Sequence, residues 1–168
     1  MNMHSSNTAS FDARELRDVL GRFATGVTVV TTLSDDGAPL GLAVNSFASV
    51  SLDPAEILWS ITSDAPSRPA FENHGAFAVN IMAQEDKEQT MRFAKPIDDK
   101  FDGVGWRPGW RSVPVLTNAL ATLECDVKQM IACGDHHIMI GSVRSIDSRD
   151  GEPLLFFRGD FSCLGTAI

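Results

Sequence analysis

Apolar positions near the start of the chain follow a helical period, whereas those further along follow the period of strands. The first set recurs at i, i+3, i+4 and i+7: Leu16, Val19, Leu20 and Phe23. This spacing predicts a helix within Phe11–Ala24 with one apolar face. Burying four such side chains would contribute about 6–12 kcal/mol, so we expect the helix to pack against the rest of the protein.

A predicted hairpin follows this helix. Val27–Thr32 is β-branched throughout, and the turn cluster Ser34–Gly37 separates it from a second predicted strand at Leu40–Val50. Apolar runs bounded by turn residues predict five more strands: Ile57–Thr62, Phe77–Met82, Leu120–Ile131, His137–Ile146 and Pro153–Phe157.

Short helices are predicted at Ser67–Asn73 and Glu85–Ala94, the second with acidic residues in its first turn and Arg92 in its last. Because strands and helices do not alternate strictly, the pattern favours a mainly β fold, an antiparallel barrel with peripheral short helices, over a doubly wound sheet. We expect residues 1–10 to form a disordered polar tail and residues 11–168 to form one domain.

Composition narrows the possible functions. The chain has 168 residues, a formal net charge of −8 and 43% hydrophobic residues. This length leaves no room for a separate Rossmann domain beside a second domain. The acidic balance argues against a nucleic-acid partner, because phosphate binding requires clustered Lys and Arg. No apolar run reaches the roughly 20 residues of a membrane helix, so we expect no membrane association.

The expected compartment is the cytoplasm. The first ten residues show neither the basic start nor the apolar run of a secretory signal. Cys125, Cys133 and Cys163 are odd in number and lack CxxC spacing, so we expect buried, reduced thiols rather than a disulfide or zinc framework.

The sequence contains no self-contained catalytic motif such as GxSxG, HExxH or a P-loop. His136 and His137 are adjacent in a predicted strand, where neighbouring side chains point to opposite faces. We therefore predict no metal site, since a closed site needs three or four ligands on one ion.

The segment Gly41–Ser51 is rich in small and hydroxyl side chains. Such a strand lets a flat ligand approach the backbone, and Asn45 and Ser46 can pair with the polar edge of a heteroaromatic ring. The alternative is a serine-rich edge strand that bonds only to itself or to solvent, and spacing alone does not decide between the two.

Two further clusters suggest phosphate recognition. Ser60–Thr62 precedes Ser67 and Arg68 at a predicted helix start, where a hydroxyl, free N–H groups and a guanidinium converge. An ordinary N-cap with a solvated arginine is the simpler alternative, and Arg92 equally fits a helix-end or a phosphate role. Near the end of the chain, Phe156–Gly159 suits either a buried strand or stacking on a nucleotide base with phosphate pairing.

Several ordered motifs together resemble the short-chain flavin reductases, which are the reductase components of two-component flavin-dependent monooxygenases and have an FMN-binding split-barrel fold. The resemblance covers about residues 11–165. The segments that carry it are Arg22–Thr32, Asn45–Pro54, Phe77–Ile81, Lys100–Phe101, Gly134–His136 and Arg158–Asp160.

The resemblance implies residues for two ligands. Those expected at FMN or FAD, from its ring to its phosphate, are Pro39, Gly41, Leu42, Ala43, Asn45, Ser46, Ser60, Ile61, Thr62, Ser67, Arg68, Arg92 and Phe93. Those expected at NADH or NADPH are His136, Phe156, Phe157, Arg158 and Gly159. His136 is the one candidate catalytic residue, expected to seat the nicotinamide or nearby phosphates; the alternative is a strand-end histidine bonded to backbone. Relatives often carry Tyr where this chain has Phe157 and Phe161, so stacking is retained without a phenol hydrogen bond.

The implied activity is hydride transfer from NAD(P)H to a flavin that then leaves for a separate monooxygenase. A homodimer is also implied, since a small barrel with its ligand on the outside gains from a second subunit. The opposing classes are a non-enzymatic protein that keeps its flavin for storage or sensing, and a split-barrel oxidase acting on a bound flavin-like substrate.

Overall fold

A computed structural model describes residues 10–166, so the tail predicted at residues 1–10 lies almost wholly outside the described residues. The helices are α1 Ala13–Leu20, α2 Arg68–His74 and α3 Lys87–Ala94, with 3₁₀ turns at Gln84–Asp86 and Trp110–Ser112. The strands are β1 Thr25–Gly26, β2 Thr28–Leu33, β3 Pro39–Val44, β4 Ala48–Leu52, β5 Ala55–Thr62, β6 Ala76–Ile81, β7 Trp106–Pro108, β8 Pro114–Leu116, β9 Ala121–Cys133, β10 His136–Ser148, β11 Leu155–Phe157 and β12 Asp160–Ser162.

Seven strands form the main sheet, in the order β3-β2-β6-β9-β10-β5-β4, and every neighbouring pair is antiparallel. β1, β11 and β12 make a second, three-stranded sheet, and β7 pairs with β8. The mainly β, antiparallel fold predicted from the sequence is confirmed, including the β2–β3 hairpin around Ser34–Gly37. The main sheet does not close into a complete barrel among the described residues, since β3 and β4 remain its two outer strands.

The predicted strand Leu40–Val50 is wrong as a single element. The structure divides it into β3 and β4, which lie at opposite edges of the main sheet and are joined only by Asn45–Phe47. Seven strands laid flat at about 4.8 Å spacing would put these edges about 29 Å apart, yet the step from Val44 to Ala48 spans at most about 14 Å. The sheet must therefore curl until its two edges face each other.

Aromatic packing fills the inside of this curl. Trp59, Phe71 and Phe77 are fully buried, and the Trp59 ring meets Phe71 at 4.9 Å and Phe77 at 5.8 Å, both edge to face. Gly141 on β10 leaves room for this cluster, because a Cβ at that position would lie 2.5 Å from Phe77 Cζ. Irregular register between β9 and β10 next to Gly141 adds to the bending.

The expectation that the first helix buries its apolar face is wrong for the single chain. α1 forms where the spacing predicts it, and Asp12 caps its first turn by accepting from the Arg14 and Glu15 amides. None of its residues is buried, however, and Val19 and Phe23 are 68% and 78% exposed. The described part of the chain supplies no surface against which this face packs.

The cysteine expectation holds for only one residue. Cys125 is buried, and burial raises the pKa of its thiol to about 12, with nearby Asp126 and Glu124 acting in the same direction. Cys133 and Cys163 are exposed rather than buried, and all three are free thiols. Among residues 10–166, no helix combines the length and apolar character needed to cross a bilayer.

Candidate functional site

A cleft of about 260 Å³ opens where the end of β3 faces the end of β5. We call it the seam cleft, because it lies where the curled sheet brings β3 opposite the end of β5 that extends beyond its pairing with β4. Its walls are Leu42, Ala43, Val44, Asn45, Ser46, Ser60, Ile61, Thr62, Ala65 and His136. Most of the residues predicted for the flavin ring thus lie around one cavity, although they come from strands far apart in the sheet order.

The Ser46 hydroxyl fixes the two sides of the seam cleft to each other. It accepts from the Ser60 amide at 2.9 Å and contacts the Ser60 carbonyl oxygen at 3.3 Å, to which it can donate. These contacts join the link after β3 to the end of β5. The Ser46 hydroxyl, which was predicted to contact a ligand, therefore bonds to the protein backbone. These hydrogen bonds set the width of the cleft.

Strand β3 offers the cleft a free backbone edge. It pairs only with β2, so the N–H and C=O groups on its other side have no strand partner. Among the described residues, the side-chain amide of Asn45 makes no hydrogen bond and is exposed at the cleft wall. This donor and acceptor set fits the polar edge of an isoalloxazine, which carries carbonyl oxygens and an N–H.

Gly41 and Phe93 belong to the support of the cleft rather than to its wall. Phe93 on α3 is buried, and a Cβ at Gly41 would lie 2.8 Å from its ring. The absent side chain of Gly41 thus lets α3 pack directly on β3. Phe93 was predicted at the flavin's phosphate end, but the structure places it in the core.

His136 reaches the seam cleft from the first position of β10. Its Nδ1 lies 2.7 Å from Asp135 Oδ1, and this hydrogen bond, followed by the charge interaction, lowers the pKa of Asp135. The partner is therefore a carboxylate and not the backbone. His137 points elsewhere and pairs with the Ser63 hydroxyl through its own Nδ1 at 3.1 Å. The two histidines are separated as the strand alternation predicts.

The cations predicted for the flavin phosphate are already engaged. Arg68 donates to the Ser63 carbonyl at 3.1 Å and to Glu72 at 3.4 Å, and Ser67 makes no side-chain capping bond. Arg92 donates to the Asp99 carbonyl at 2.9 Å and holds the segment after α3 in place. Neither arginine lines the seam cleft, although Arg68 lies close to it through Ser63.

Two further cavities share Asn45 with the seam cleft as a lining residue. One, of about 150 Å³, has a mostly apolar wall that includes Val27, Phe156 and Phe161. The other, of about 480 Å³, lies between α1 and the β11–β12 turn, and Asn45 and Phe156 line it as well. We call it the arginine pocket, after its residues Arg17, Arg22 and Arg158, which accompany Asp18, Leu20, Gly21, Phe23 and Gly159.

The structure thus places the predicted nicotinamide residues in two groups. His136 lies in the seam cleft, whereas Phe156, Arg158 and Gly159 lie at the arginine pocket, and Phe157 lines neither cavity. Sequence reasoning missed Arg17 and Arg22 as candidate site residues. Basic residues near the C-terminal end of a helix usually complement the helix dipole, so they gave no sign of a site. Only the fold shows that they face Arg158.

The described residues contain no group of three or more His, Cys, Asp or Glu arranged to hold a metal ion. The Ser63 hydroxyl does pair with His137, but neither residue lines any of the three cavities. What the cavities provide is a flat, polar-edged cleft beside a larger cationic one. Such an arrangement binds and orients ligands that bring their own reactive groups.

Comparison with known proteins identifies the family. A family model described as a flavin reductase like domain matches residues 20–165. The reductase subunit HsaB of a flavin-dependent monooxygenase from Mycobacterium tuberculosis is 39% identical over 158 residues, which are 92% of this chain and 84% of that protein. The reductase component of the trigonelline monooxygenase from Acinetobacter baylyi is 44% identical over 148 residues, or 88% of this chain. This chain spans only 48% of the length of that second relative.

A solved structure shows the same fold. The NADH:FAD oxidoreductase SgcE6 of Streptomyces globisporus C-1027, in complex with NAD and FAD fragments, has a TM-score of 0.87 and 35% identity, covering 92% of this chain and 93% of that one. The chain belongs to the flavin reductase-like domain family, as its motifs indicate.

Replacing Ser46 with alanine tests whether the seam is held as described. The Ser60 amide would lose its protein partner, and we expect the free energy of unfolding to fall by about 1 kcal/mol. Ser49→Ala is the matched control, because Ser49 is exposed on β4 and has no side-chain hydrogen bond among the described residues. Urea denaturation followed by tryptophan fluorescence measures both; equal midpoints for the two variants would contradict this role for Ser46.

Proposed function

We propose that the chain transfers a hydride from NADH to FMN or FAD bound in the seam cleft and passes the reduced flavin to a separate monooxygenase. Flavin reduction itself, and membership among the reductase components of two-component monooxygenases, rest on the family and its relatives. The observation that carries the proposal is the free edge of β3 with Asn45 and Ser46 at one cleft.

The lining of the seam cleft supports a flavin ring as its ligand. Its wall presents unpaired strand groups on the β3 side, and Ser60, Ile61 and Thr62 on the other. Donors aimed at the pyrimidine edge of the ring stabilise the negative charge that grows there on reduction. The flavin, when bound, accepts the hydride at N5 from C4 of the nicotinamide, so the protein needs no acid or base for that step.

The protein's contribution is therefore positional. Hydride transfer requires reacting atoms about 3–3.5 Å apart, so a site must hold two rings face to face. His136 lies at the cleft, and its Nδ1 is held by Asp135, which leaves Nε2 free to meet a second ligand. We infer that His136 seats the nicotinamide or the phosphates next to it.

Several finer assignments belong to this proposal. Arg68, beside the cleft through Ser63, takes the flavin phosphate by exchanging its contact with Glu72, whose salt bridge is exposed and weak. The chain uses either FMN or FAD, since both share the ring and the ribityl phosphate. The use of NADH rather than NADPH remains a prediction. The same holds for the cytoplasmic location inferred from the composition.

Anaerobic mixing tests the activity. Purified protein with NADH and added FMN or FAD should bleach the oxidised flavin band near roughly 450 nm, because the hydride passes to the flavin. A protein that binds flavin but leaves it oxidised would support the storage or sensing alternative instead. A flavin that stays bound through gel filtration after reduction would contradict its release to a partner.

His136→Ala tests the seating of the nicotinamide. Removing a contact made equally in the ground and transition states raises the KM for NADH and leaves kcat unchanged, and we expect a rise of about tenfold, the effect of one hydrogen bond to a charged group. Asp135→Asn should give a smaller change in the same direction, since it only orients the ring. His74→Ala is the control, because His74 bonds to the Arg111 carbonyl away from the cleft. Unchanged NADH kinetics in His136→Ala would end this assignment.

We also propose that a second copy of the chain covers the exposed apolar face of α1. Leu16 and Val19 lie on this face outside the arginine pocket, and Leu52 on the edge strand β4 is 93% exposed. Exposed large apolar side chains such as these are typical of subunit interfaces. A homodimer would bury them and shield ligands that lie on the outside of the sheet.

Light scattering during gel filtration tests the dimer. The protein should elute at twice the chain mass of 18.2 kDa, and Val19→Glu should shift it toward the monomer by placing a charge in the interface. Arg14→Ala on the same helix is the control and should leave the mass unchanged. A wild-type protein that is monomeric at micromolar concentration would refute the dimer.

A further inference from the structure

Ser63 directly follows β5 and uses all three of its polar groups in hydrogen bonds. Its amide donates to the Asp135 carbonyl at 2.9 Å, its carbonyl accepts from Arg68 Nε at 3.1 Å, and its hydroxyl lies 3.1 Å from His137 Nδ1. These bonds reach the β9–β10 turn, α2 and β10, which are three different parts of the fold. Ser63 therefore fixes the segment between β5 and α2 from three directions.

The segment between β5 and α2 borders the seam cleft. Thr62 and Ala65, on either side of Ser63, both line the cleft, whereas Ser63 itself does not. The Ala65 amide donates to the Thr62 carbonyl at 3.1 Å, which closes a turn around Ser63. A displacement of Ser63 would therefore move the cleft wall and Arg68 together, although Ser63 has no place in the wall.

The bond to Ser63 also orients the guanidinium of Arg68. Because Nε is bonded to the Ser63 carbonyl, the two terminal nitrogens remain for other partners. Nη1 meets the exposed Glu72 at 3.4 Å, and Nη2 has no partner among residues 10–166. A planar guanidinium whose direction is fixed in this way suits a phosphate group, since phosphate oxygens accept hydrogen bonds from it in pairs.

His137 supports Ser63 from the face of β10 opposite to His136. Successive side chains of a strand alternate between its two faces, so His137 shares a face with the fully buried Met139. His136 lines the cleft, and His137 does not. Within the described residues, neither the His137 ring nor the Ser63 hydroxyl makes any other hydrogen bond. Each of the two side chains therefore depends on the other for its partner.

We propose that Ser63 and His137 are positioning residues for binding of the flavin phosphate. Their hydrogen bond holds the segment between β5 and α2, so that Arg68 stays in place for the phosphate. The Ser63 amide ties the same segment to Asp135, whose carboxylate holds His136, so the flavin side and the nicotinamide side keep a fixed spacing. The inference rests on the proposed function, because it requires the flavin ring in the seam cleft and its phosphate at Arg68.

Fluorescence titration of the purified full-length chain, without NADH, compares FMN with riboflavin, which has the same ring and no phosphate. His137→Ala should weaken FMN binding about fivefold, the effect of one neutral hydrogen bond, and leave riboflavin binding unchanged. His137→Asn should restore the FMN affinity, because the asparagine amide can replace Nδ1 as the partner of the Ser63 hydroxyl. His74→Ala is the matched control and should bind both flavins like the wild type, since His74 bonds to the Arg111 carbonyl.

A double-mutant cycle isolates the pair. Ser63→Ala alone should match His137→Ala, and the two substitutions together should weaken FMN binding no further, because both remove the same hydrogen bond. The KM for NADH at saturating FMN should be unchanged in all three variants, since Asp135 keeps its bonds to the Ser63 amide and to His136.

Two results would overturn the proposal. One is an FMN affinity that stays at the wild-type value in both His137→Ala and Ser63→Ala. The other is an equal loss of FMN and riboflavin affinity, which would indicate general damage to the cleft rather than a lost phosphate contact. NADH-dependent bleaching of FMN by the wild-type protein would persist in either case, so the proposed function fails only on its own assay.

Discussion

The short link between β3 and β4 is the constraint on which the rest of the structure depends. Asn45–Phe47 joins the two outer strands of a seven-stranded sheet, and its reach is about half the width of the sheet laid flat. The sheet must coil, so the Trp59 cluster is enclosed and the free edge of β3 is brought opposite β5. The seam cleft thus results from connectivity, and the contacts of Ser46 with the Ser60 backbone set its width.

This origin explains why no catalytic motif is present in the sequence. A flavin and a nicotinamide supply the reacting atoms themselves, so the protein has only to bind and align them. The cations are divided accordingly. Arg68 and Arg92 bond to the backbone near the ends of helices, whereas Arg158 is held at the β11–β12 turn with its guanidinium unpartnered among the described residues. In a chain of net charge −8, that division leaves few cations without a protein partner among the described residues.

Periodicity predicted most of the elements, because β-branched runs such as Val27–Thr32 have one favourable conformation between clear turns. It failed at Leu40–Val50, because the residues there keep a strand-like composition throughout. The chain nevertheless passes from one edge of the sheet to the other within this segment, and only the long-range strand pairing reveals this. It also predicted α1 correctly while misplacing its apolar face, since a period shows that a face exists and not what covers it. The family motifs gave Asn45 to the flavin and His136 to the nicotinamide, and the fold brings both residues to one cavity. The burial of Phe93 was not predictable, because its packing on Gly41 is a tertiary contact.

The two connections on either side of β3 differ in what they tolerate. The turn at Ser34–Gly37 joins strands that are already neighbours, and doubling the length of such a loop costs only about 0.6 kcal/mol. The link at Asn45–Phe47 instead works through its shortness, whichever side chains it carries. A tag or an inserted peptide is therefore compatible with the first connection, while the same insertion in the second would release the two edges, open the seam cleft and loosen the enclosure of the Trp59 cluster.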